Sequence, residues 1–227
     1  MNSPMPNQTE IFLQKEADAW FERNFREHSK QGKEKDLALQ FLNQQDLSGK
    51  HILEVGCADG WRLADLLASH DISATGVEPS EMAIEKGKQR FDGIDFLRGT
   101  ASDIQVPDQS VDIVVSGFCL YLCDRDELFK IAYEYDRILK DEGLIVITDF
   151  VSSFPYKNPY SHQQGLYSYK MDYASMFTWN PYYTLMLNQI VDMGSIAIDA
   201  NNPDNRIVLS VLRKQKHQAY PSEPYSK

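Results

Sequence analysis

A glycine-containing segment is the strongest chemical signal in this 227-residue chain. It reads EVGCADG over residues 54–60 and joins a predicted buried strand to a predicted helix. Glycine lets the main chain turn tightly and lets a ligand approach without meeting a Cβ atom. The free N–H groups at the start of the helix attract polar ligand groups. We therefore predict that Gly56 and Gly60 admit a ligand at this turn.

Glu78 is the second chemical signal, because it ends the next predicted strand along the chain. In a doubly wound sheet, ligands bind outside the carboxyl ends of the strands. An acidic side chain at the end of the second strand can accept hydrogen bonds from both hydroxyls of a ribose. The two signals together favour a cofactor that contains a nucleoside.

Two classes of nucleoside cofactor use this geometry. A dinucleotide fingerprint requires glycine at positions 56, 58 and 61, whereas the chain has Ala58 and Trp61 at the last two. The alternative pattern is an acidic residue, one further residue and then Gly-x-Gly-x-Gly. Glu54, Gly56 and Gly60 match this pattern. Only Ala58 departs from it, and we expect alanine to be tolerable there if its φ is negative.

Strand-like and helical segments alternate from Lys50 onward, and these segments must position the residues above. Predicted strands cover residues 51–56, 73–78, 94–99, 111–117 and 143–150, and predicted helices cover residues 61–70, 81–91 and 126–140. This alternation predicts right-handed crossovers and an α/β fold with a doubly wound, mostly parallel sheet. Residues 183–193 are predicted to form a helix, and the segments 195–199 and 206–212 flank a turn that favours a hairpin. We therefore predict a seven-stranded sheet with an antiparallel C-terminal strand.

The alternating core is flanked by segments of different character. Residues 1–49 are predicted to form a helical cap, and residues 214–227 a flexible polar tail. Residues 151–183 concentrate aromatic side chains and three prolines. Because long ordered loops in compact domains are usually functional, we predict that this insertion is a lid over a site. The alternative is an aromatic segment that docks on the core for stability.

Composition restricts the partners. The chain carries 33 acidic and 23 basic side chains, for a formal charge of −10. Nucleic-acid binders normally present a basic surface, so nucleic acids and anionic membranes are disfavoured as partners. The three cysteines make no disulfide framework, and their spacing does not indicate a zinc site. With no secretory signal or membrane-spanning stretch recognised in the sequence, we expect a cytoplasmic location.

From about Lys50 to Phe150 the chain resembles the class I S-adenosylmethionine-dependent methyltransferases, of the type that modifies small molecules. The resemblance rests on the glycine loop and on four later motifs in the expected order. These are GVEPSEM at 76–82, GTASD at 99–103, VDIVVS at 111–116 and RILKDEGL at 137–144. The resemblance implies a Rossmann-like methyltransferase domain over residues 50–213, S-adenosylmethionine as cofactor and S-adenosylhomocysteine as product.

The resemblance also implies a role for each matching residue. Glu54 would orient the loop or meet the amino end of the methionine, which Gly56 and Gly60 would admit. Glu78 would hold the ribose. The residues expected around the adenine are Met82, which would pack on the ring, Ala101, which would present its N–H group, and Ser102 beside it. Thr100 stands where the family often has aspartate, and this change weakens one hydrogen bond, typically worth ~0.5–1.5 kcal/mol, without abolishing binding.

The acceptor leaves a weaker signature, because methyl transfer depends mainly on alignment in a dry pocket. The chain lacks the motifs of the amino-methylating and cytosine-methylating DNA enzymes that resemble it. Asp124 and Asp126 are interpreted as helix-capping residues and not as ligands, so we expect no metal. We predict a small polar acceptor methylated on oxygen or nitrogen, such as a sugar or another polyhydroxylated metabolite. His162 is the candidate general base and Tyr121 a candidate acceptor contact.

Two other functions stay open on the sequence alone. The chain could modify a protein or RNA, or it could bind the cofactor as a regulatory or scaffold module without catalysis. The sequence does not indicate the oligomeric state.

Overall fold

The computed structural model describes residues 7–25, 35–193 and 202–222 of the chain. Seven strands form one twisted sheet in the order β3-β2-β1-β4-β5-β9-β8. Their bounds are β1 Lys50–Val55, β2 Ile72–Glu78, β3 Ile94–Arg98, β4 Val111–Gly117, β5 Leu139–Phe150, β8 Tyr183–Asp192 and β9 Arg206–Lys214. Strands β1 to β5 are parallel, whereas β9 runs antiparallel to both of its neighbours. The predicted fold class and the antiparallel C-terminal strand are therefore confirmed.

Helices cover both faces of the sheet. Their bounds are α1 Gln8–Ile11, α2 Ala17–Asn24, α3 Leu37–Leu42, α4 Trp61–Ser69, α5 Glu81–Arg90, α6 Leu128–Ile138 and α7 Ser175–Thr178. A π-helical turn, Phe12–Glu16, joins α1 to α2. Helices α3, α4 and α5 bury their apolar side chains in one core cluster, and α6 and α7 bury theirs in the other.

Local capping explains where the helices around the glycine loop begin. Ser80 caps α5, because its hydroxyl accepts a hydrogen bond from the Ala83 N–H at 3.0 Å. Asp36 caps α3 in the same way through the Leu39 N–H at 2.7 Å. Helix α4 instead begins at Gly60, whose φ of +76° lies in the left-handed region that favours glycine. These caps fix the chain turns at the carboxyl ends of β1 and β2.

The predicted helix over residues 183–193 is wrong, because this segment is β8. It pairs with β9 from Tyr183 opposite Lys214 to Asp192 opposite Arg206. Leucine, methionine and glutamine in this segment favour a helix intrinsically, but pairing with β9 overrides the propensity. The segment 195–199, predicted as a strand, lies outside the described residues.

The aromatic insertion divides into two parts with different surroundings. Its first part forms a separate hairpin of β6, Tyr156–Pro159, and β7, Tyr167–Lys170. In the second part, Tyr173 and Phe177 are buried in the core cluster under α6. The insertion thus combines a hairpin at the surface with an aromatic segment docked on the core.

The predicted flexible tail begins at Lys214. In the structure this residue is instead the last residue of β9 and is fully buried. Its ammonium group donates to the Asp136 and Leu139 carbonyls, at 2.5 and 3.0 Å. It therefore satisfies carbonyl groups at the C-terminal end of α6.

Candidate active site

A cavity of about 110 Å³ lies where the sequence predicts a ligand, at the carboxyl ends of β1, β2 and β4. Three of the predicted cofactor residues line it, namely Gly56, Glu78 and Ala101. Thr9, Phe12, Ala17 and Trp20 of the N-terminal helical segment line it from the opposite side. These residues of the N-terminal helical segment therefore form one wall of the cavity.

Glu78 is the one charged residue among the described residues that line this cavity. Its side chain is 8% exposed, and its two carboxylate oxygens accept the Ala58 and Ser80 N–H groups, each at 2.9 Å. Burial raises the pKa of Glu78 to about 7, although both hydrogen bonds favour the charged form. The carboxylate is thus held rigidly at the end of β2, with lone pairs left to accept further hydrogen bonds.

A second chamber of about 350 Å³ adjoins the first on the far side of the glycine loop. Glu54 lines it, is 1% exposed and forms an ion pair with Arg62, whose other nitrogens bond to Asp36 at 2.8 and 3.1 Å. The Glu54 Oε2 atom is buried and has no hydrogen-bond partner among the described residues. Since buried polar atoms are normally paired, this oxygen is free to accept from a ligand.

The backbone of the glycine loop is strained at one position. Gly56 has a φ of +71°, and a Cβ atom there would lie 2.8 Å from the Cys119 Cβ. Ala58 has a φ of +51°, which overturns the expectation of a negative angle. The left-handed conformation costs an L-residue about 1–2 kcal/mol, so alanine is tolerated at a price in strain. Its N–H group is one of the two that donate to Glu78.

Besides Glu54, three of the predicted cofactor residues do not line the 110 Å³ cavity. A Cβ atom at Gly60 would lie 2.7 Å from the Phe96 ring, so this glycine permits helix-to-strand packing. Met82 is 44% exposed on the first turn of α5, whereas Pro79 lines the cavity. Ser102 is buried and donates to Glu127 at 2.9 Å, away from the cavity lining. The adenine roles proposed for Met82 and Ser102 stay predictions.

The two candidate acceptor residues share a third depression of about 260 Å³. Tyr121 and His162 line it together with the polar side chains of Asn24, Asn158, Ser161, Ser168 and Lys170. His162 is exposed and packs edge-on against Tyr160, with ring centroids 5.4 Å apart. We call this depression the polar cup. Tyr121 and His162 are 41 positions apart in the sequence, and both line this depression.

Asp149 fixes the floor of the polar cup. It is fully buried at the end of β5 and accepts the Tyr121 N–H at 3.2 Å and the Phe150 N–H at 2.8 Å. Burial raises the pKa of Asp149 to about 7. Burial and the nearby Asp149 raise the pKa of the Tyr121 hydroxyl as well, so this hydroxyl stays protonated near neutral pH. Tyr121 can therefore donate a hydrogen bond to an acceptor but cannot serve as its base.

The hairpin and the N-terminal helices hold the polar cup closed on its outer side. Arg23 forms an ion pair with the buried Glu16, and both groups bond to the Tyr160 hydroxyl at 3.0 Å. Gln8 donates to the Tyr167 carbonyl at 2.9 Å. The cap and the aromatic insertion are therefore one continuous wall around the site.

Sequence reasoning missed several residues of the site. Trp20 lines all three spaces, and Phe118 lines the first two with a φ of +52°, which is rare for a bulky residue. Cys119 and Cys123 line the first cavity with their sulfurs 4.0 Å apart. The apolar stripe of the cap predicts that Trp20 is buried but not that it lines the site, and the conformation of Phe118 has no sequence signal.

The described residues offer one group of three possible metal-binding side chains close together, and it lies elsewhere. Asp141, Glu142 and His217 are all exposed near the amino end of β5. Separately, no helix in the described ranges is both long and apolar enough to cross a membrane.

Comparisons with known proteins agree with this geometry. Residues 52–143 match a family model described as a methyltransferase domain. A segment of 84 residues is 37% identical to the phthiotriol/phenolphthiotriol dimycocerosates methyltransferase of Mycobacterium tuberculosis. That match covers 36% of this chain and 31% of the relative, so the chain spans about a third of the curated relative's length.

Two solved structures share the fold over most of the chain. The 1,6-didemethyltoxoflavin-N1-methyltransferase of Burkholderia thailandensis, which holds S-adenosylhomocysteine, has a TM-score of 0.68 at 14% identity and covers 95% of this chain and 93% of its own. The [4+2]-cyclase SpnF has a TM-score of 0.67 at 14% identity and covers 95% of this chain and 99% of its own. Residues 52–143 therefore match a methyltransferase domain, and the chain shares the fold of these two structures.

Proposed function

We propose that this protein transfers a methyl group from S-adenosylmethionine to oxygen or nitrogen of a small polar acceptor. The observation that carries the proposal is the pair of buried carboxylates on either side of the glycine loop. Glu78 lines the first cavity, and the unpartnered oxygen of Glu54 lines the adjoining chamber. One carboxylate is suited to two ribose hydroxyls and the other to an ammonium group.

The residues present fit that cofactor along its whole length. Glu78 would hold the ribose, and the walls formed by Pro79 and Ala101 would enclose the adenine. Gly56 would let the methionine pass from the first cavity to the second chamber, where Glu54 Oε2 would accept from its ammonium group. When bound, S-adenosylmethionine supplies a methyl group on a positively charged sulfur.

The acceptor side of the reaction falls to the polar cup. Tyr121 would donate a hydrogen bond to the acceptor, and His162 would take up the proton that the nucleophile loses on methylation. Lys170, 7% exposed, is held by Asp204 at 3.1 Å and keeps the cup rigid. The polar lining supports a sugar or another polyhydroxylated acceptor over a purely apolar one.

A transfer assay tests the proposal more stringently than fold similarity, since one fold can host unrelated reactions. The protein is incubated with S-adenosylmethionine radiolabelled on its methyl group and with separate panels of sugars, nucleotide sugars, amines, phenols and fatty acids. We expect label in a sugar or another polyhydroxylated product, and its loss in Glu78→Ala. Cofactor binding without label in any panel would overturn the catalytic proposal and favour a scaffold. Label that enters only an apolar acceptor would overturn the acceptor class alone.

A further inference from the structure

Trp20 has a position that no other described residue shares. The first cavity and the second chamber have Gly56, Trp20, Gly117 and Phe118 in common. Of these four, Trp20 alone also lines the polar cup. Its indole is therefore the common wall of the spaces assigned to the adenosyl group, the methionine and the acceptor.

That junction is where the charged sulfur of the cofactor must lie. The sulfur joins the adenosyl part to the methionine part, so it belongs where the first cavity meets the second chamber. The methyl group must leave this point toward the acceptor, and Trp20 borders that route as well. Apart from Trp20 and Phe118, the junction is built of glycine, which leaves the sulfur close to main chain and aromatic rings.

The first cavity, on one side of Trp20, favours a cation. No lysine or arginine is among the described residues that line it, and Glu78 supplies the charge. Of the basic residues that line the other two spaces, Arg62 is paired with Glu54 and Asp36, and Lys170 with Asp204. An aromatic face attracts a nearby cation through its quadrupole, tryptophan more strongly than tyrosine or phenylalanine. Trp20 is half-buried, and its side chain lies near the Tyr121 hydroxyl, whose pKa it lowers against the larger effect of burial.

We propose that Trp20 is the residue that distinguishes the charged cofactor from its neutral product. Its indole stabilises the sulfonium of S-adenosylmethionine and the partial charge retained during transfer. S-adenosylhomocysteine has a neutral thioether at the same position and gains nothing from the ring, which favours product release. This inference rests on the proposed function, because it presupposes that S-adenosylmethionine binds here.

Calorimetric affinities for both ligands test the inference on the full-length protein. In Trp20→Leu we expect affinity for S-adenosylmethionine to fall about 5- to 30-fold more than affinity for S-adenosylhomocysteine. Trp20→Phe keeps an aromatic face and should recover most of that difference. The matched control is Phe12→Leu on the same helical segment, since Phe12 lines the first cavity only. This control should weaken both ligands by the same factor.

Equal losses for both ligands in Trp20→Leu would overturn the inference while leaving the proposed function intact. Failure of the wild-type protein to bind either ligand would overturn the proposed function itself. If Trp20→Leu does not fold, fluorinated tryptophan in a chain that carries Trp61→Phe and Trp179→Phe replaces it, because fluorine weakens the ring quadrupole and preserves its shape. Affinity for S-adenosylmethionine should then fall selectively, and an unchanged ratio of the two affinities would refute the role of the indole.

Discussion

Replacing Glu78 with glutamine removes the buried charge on which the cofactor assignment rests and keeps the shape of the side chain. In the ligand-free protein, burial raises the pKa of Glu78 from its ordinary 4.5 to about 7. Both of its oxygens are held by main-chain N–H groups, so the carboxylate does not escape burial by changing its rotamer. The fold therefore holds the carboxylate in a buried position, where desolvation destabilises its charged form.

The sign of the pH effect follows from this raised pKa. A carboxyl whose pKa is higher in the folded state contributes full stability below pH 4.5 and loses that contribution as the pH rises through about 7. A difference of this size corresponds to about 3 kcal/mol in the free energy of unfolding. Asp149, raised from 3.8 to about 7, adds a second contribution of the same sign. Glu78→Gln should remove the first contribution and leave the second.

Urea unfolding at several values from pH 4 to pH 8 measures this effect. We expect the wild-type free energy of unfolding to fall more steeply with pH than that of Glu78→Gln, by about 3 kcal/mol over the range. Glu85→Gln on the exposed face of α5 is the control and should keep the wild-type profile. Parallel profiles for wild type and Glu78→Gln would refute the argument that Glu78 is a desolvated carboxylate.

Two further predictions concern the loop and the polar cup. Ala58→Gly should raise the free energy of unfolding by about 0.5–1 kcal/mol, because relief of the left-handed strain exceeds the entropy cost of glycine. Gln109→Gly, at an exposed site with a φ of 49°, should raise the free energy of unfolding by a similar amount. Destabilisation in both variants would contradict the argument that the left-handed conformation is strained. His162→Ala should lower turnover about 10²–10⁴-fold with cofactor affinity unchanged. A loss under threefold, no larger than in a His217→Ala control, would remove His162 as the base.

The sequence predicted the part of the fold that depends on local pattern. The alternation of strands and helices between Lys50 and Phe150 is regular, and the five parallel strands lie where it placed them, except that β5 begins at Leu139 and not at Gly143. It failed at β8, because the intrinsic helix preference of this segment is overridden by pairing with β9. The sequences of β8 and β9 share no periodic pattern that would indicate their pairing. The prediction failed because it used only local sequence information.

The candidate site divides in the same way. Gly56 and Glu78 could be predicted because the glycine loop and the end of β2 each have a characteristic residue type at a characteristic spacing. Trp20 and Phe12 could not, since a helix far from the loop in sequence is brought over the cavity only by tertiary packing. The φ of Ala58 also lies beyond sequence reasoning, because the loop imposes that angle on whichever residue occupies the position.

Calorimetric titration of the unmodified protein with two different cofactors distinguishes a methyltransferase site from a dinucleotide site. The loop has Trp61 where a dinucleotide site needs glycine, whereas Glu54 and Glu78 suit a methionine ammonium and a ribose. We therefore expect S-adenosylmethionine and S-adenosylhomocysteine to bind with dissociation constants on the order of 1 μM, and NAD to give no measurable heat. Binding of NAD in preference to S-adenosylmethionine would contradict the account.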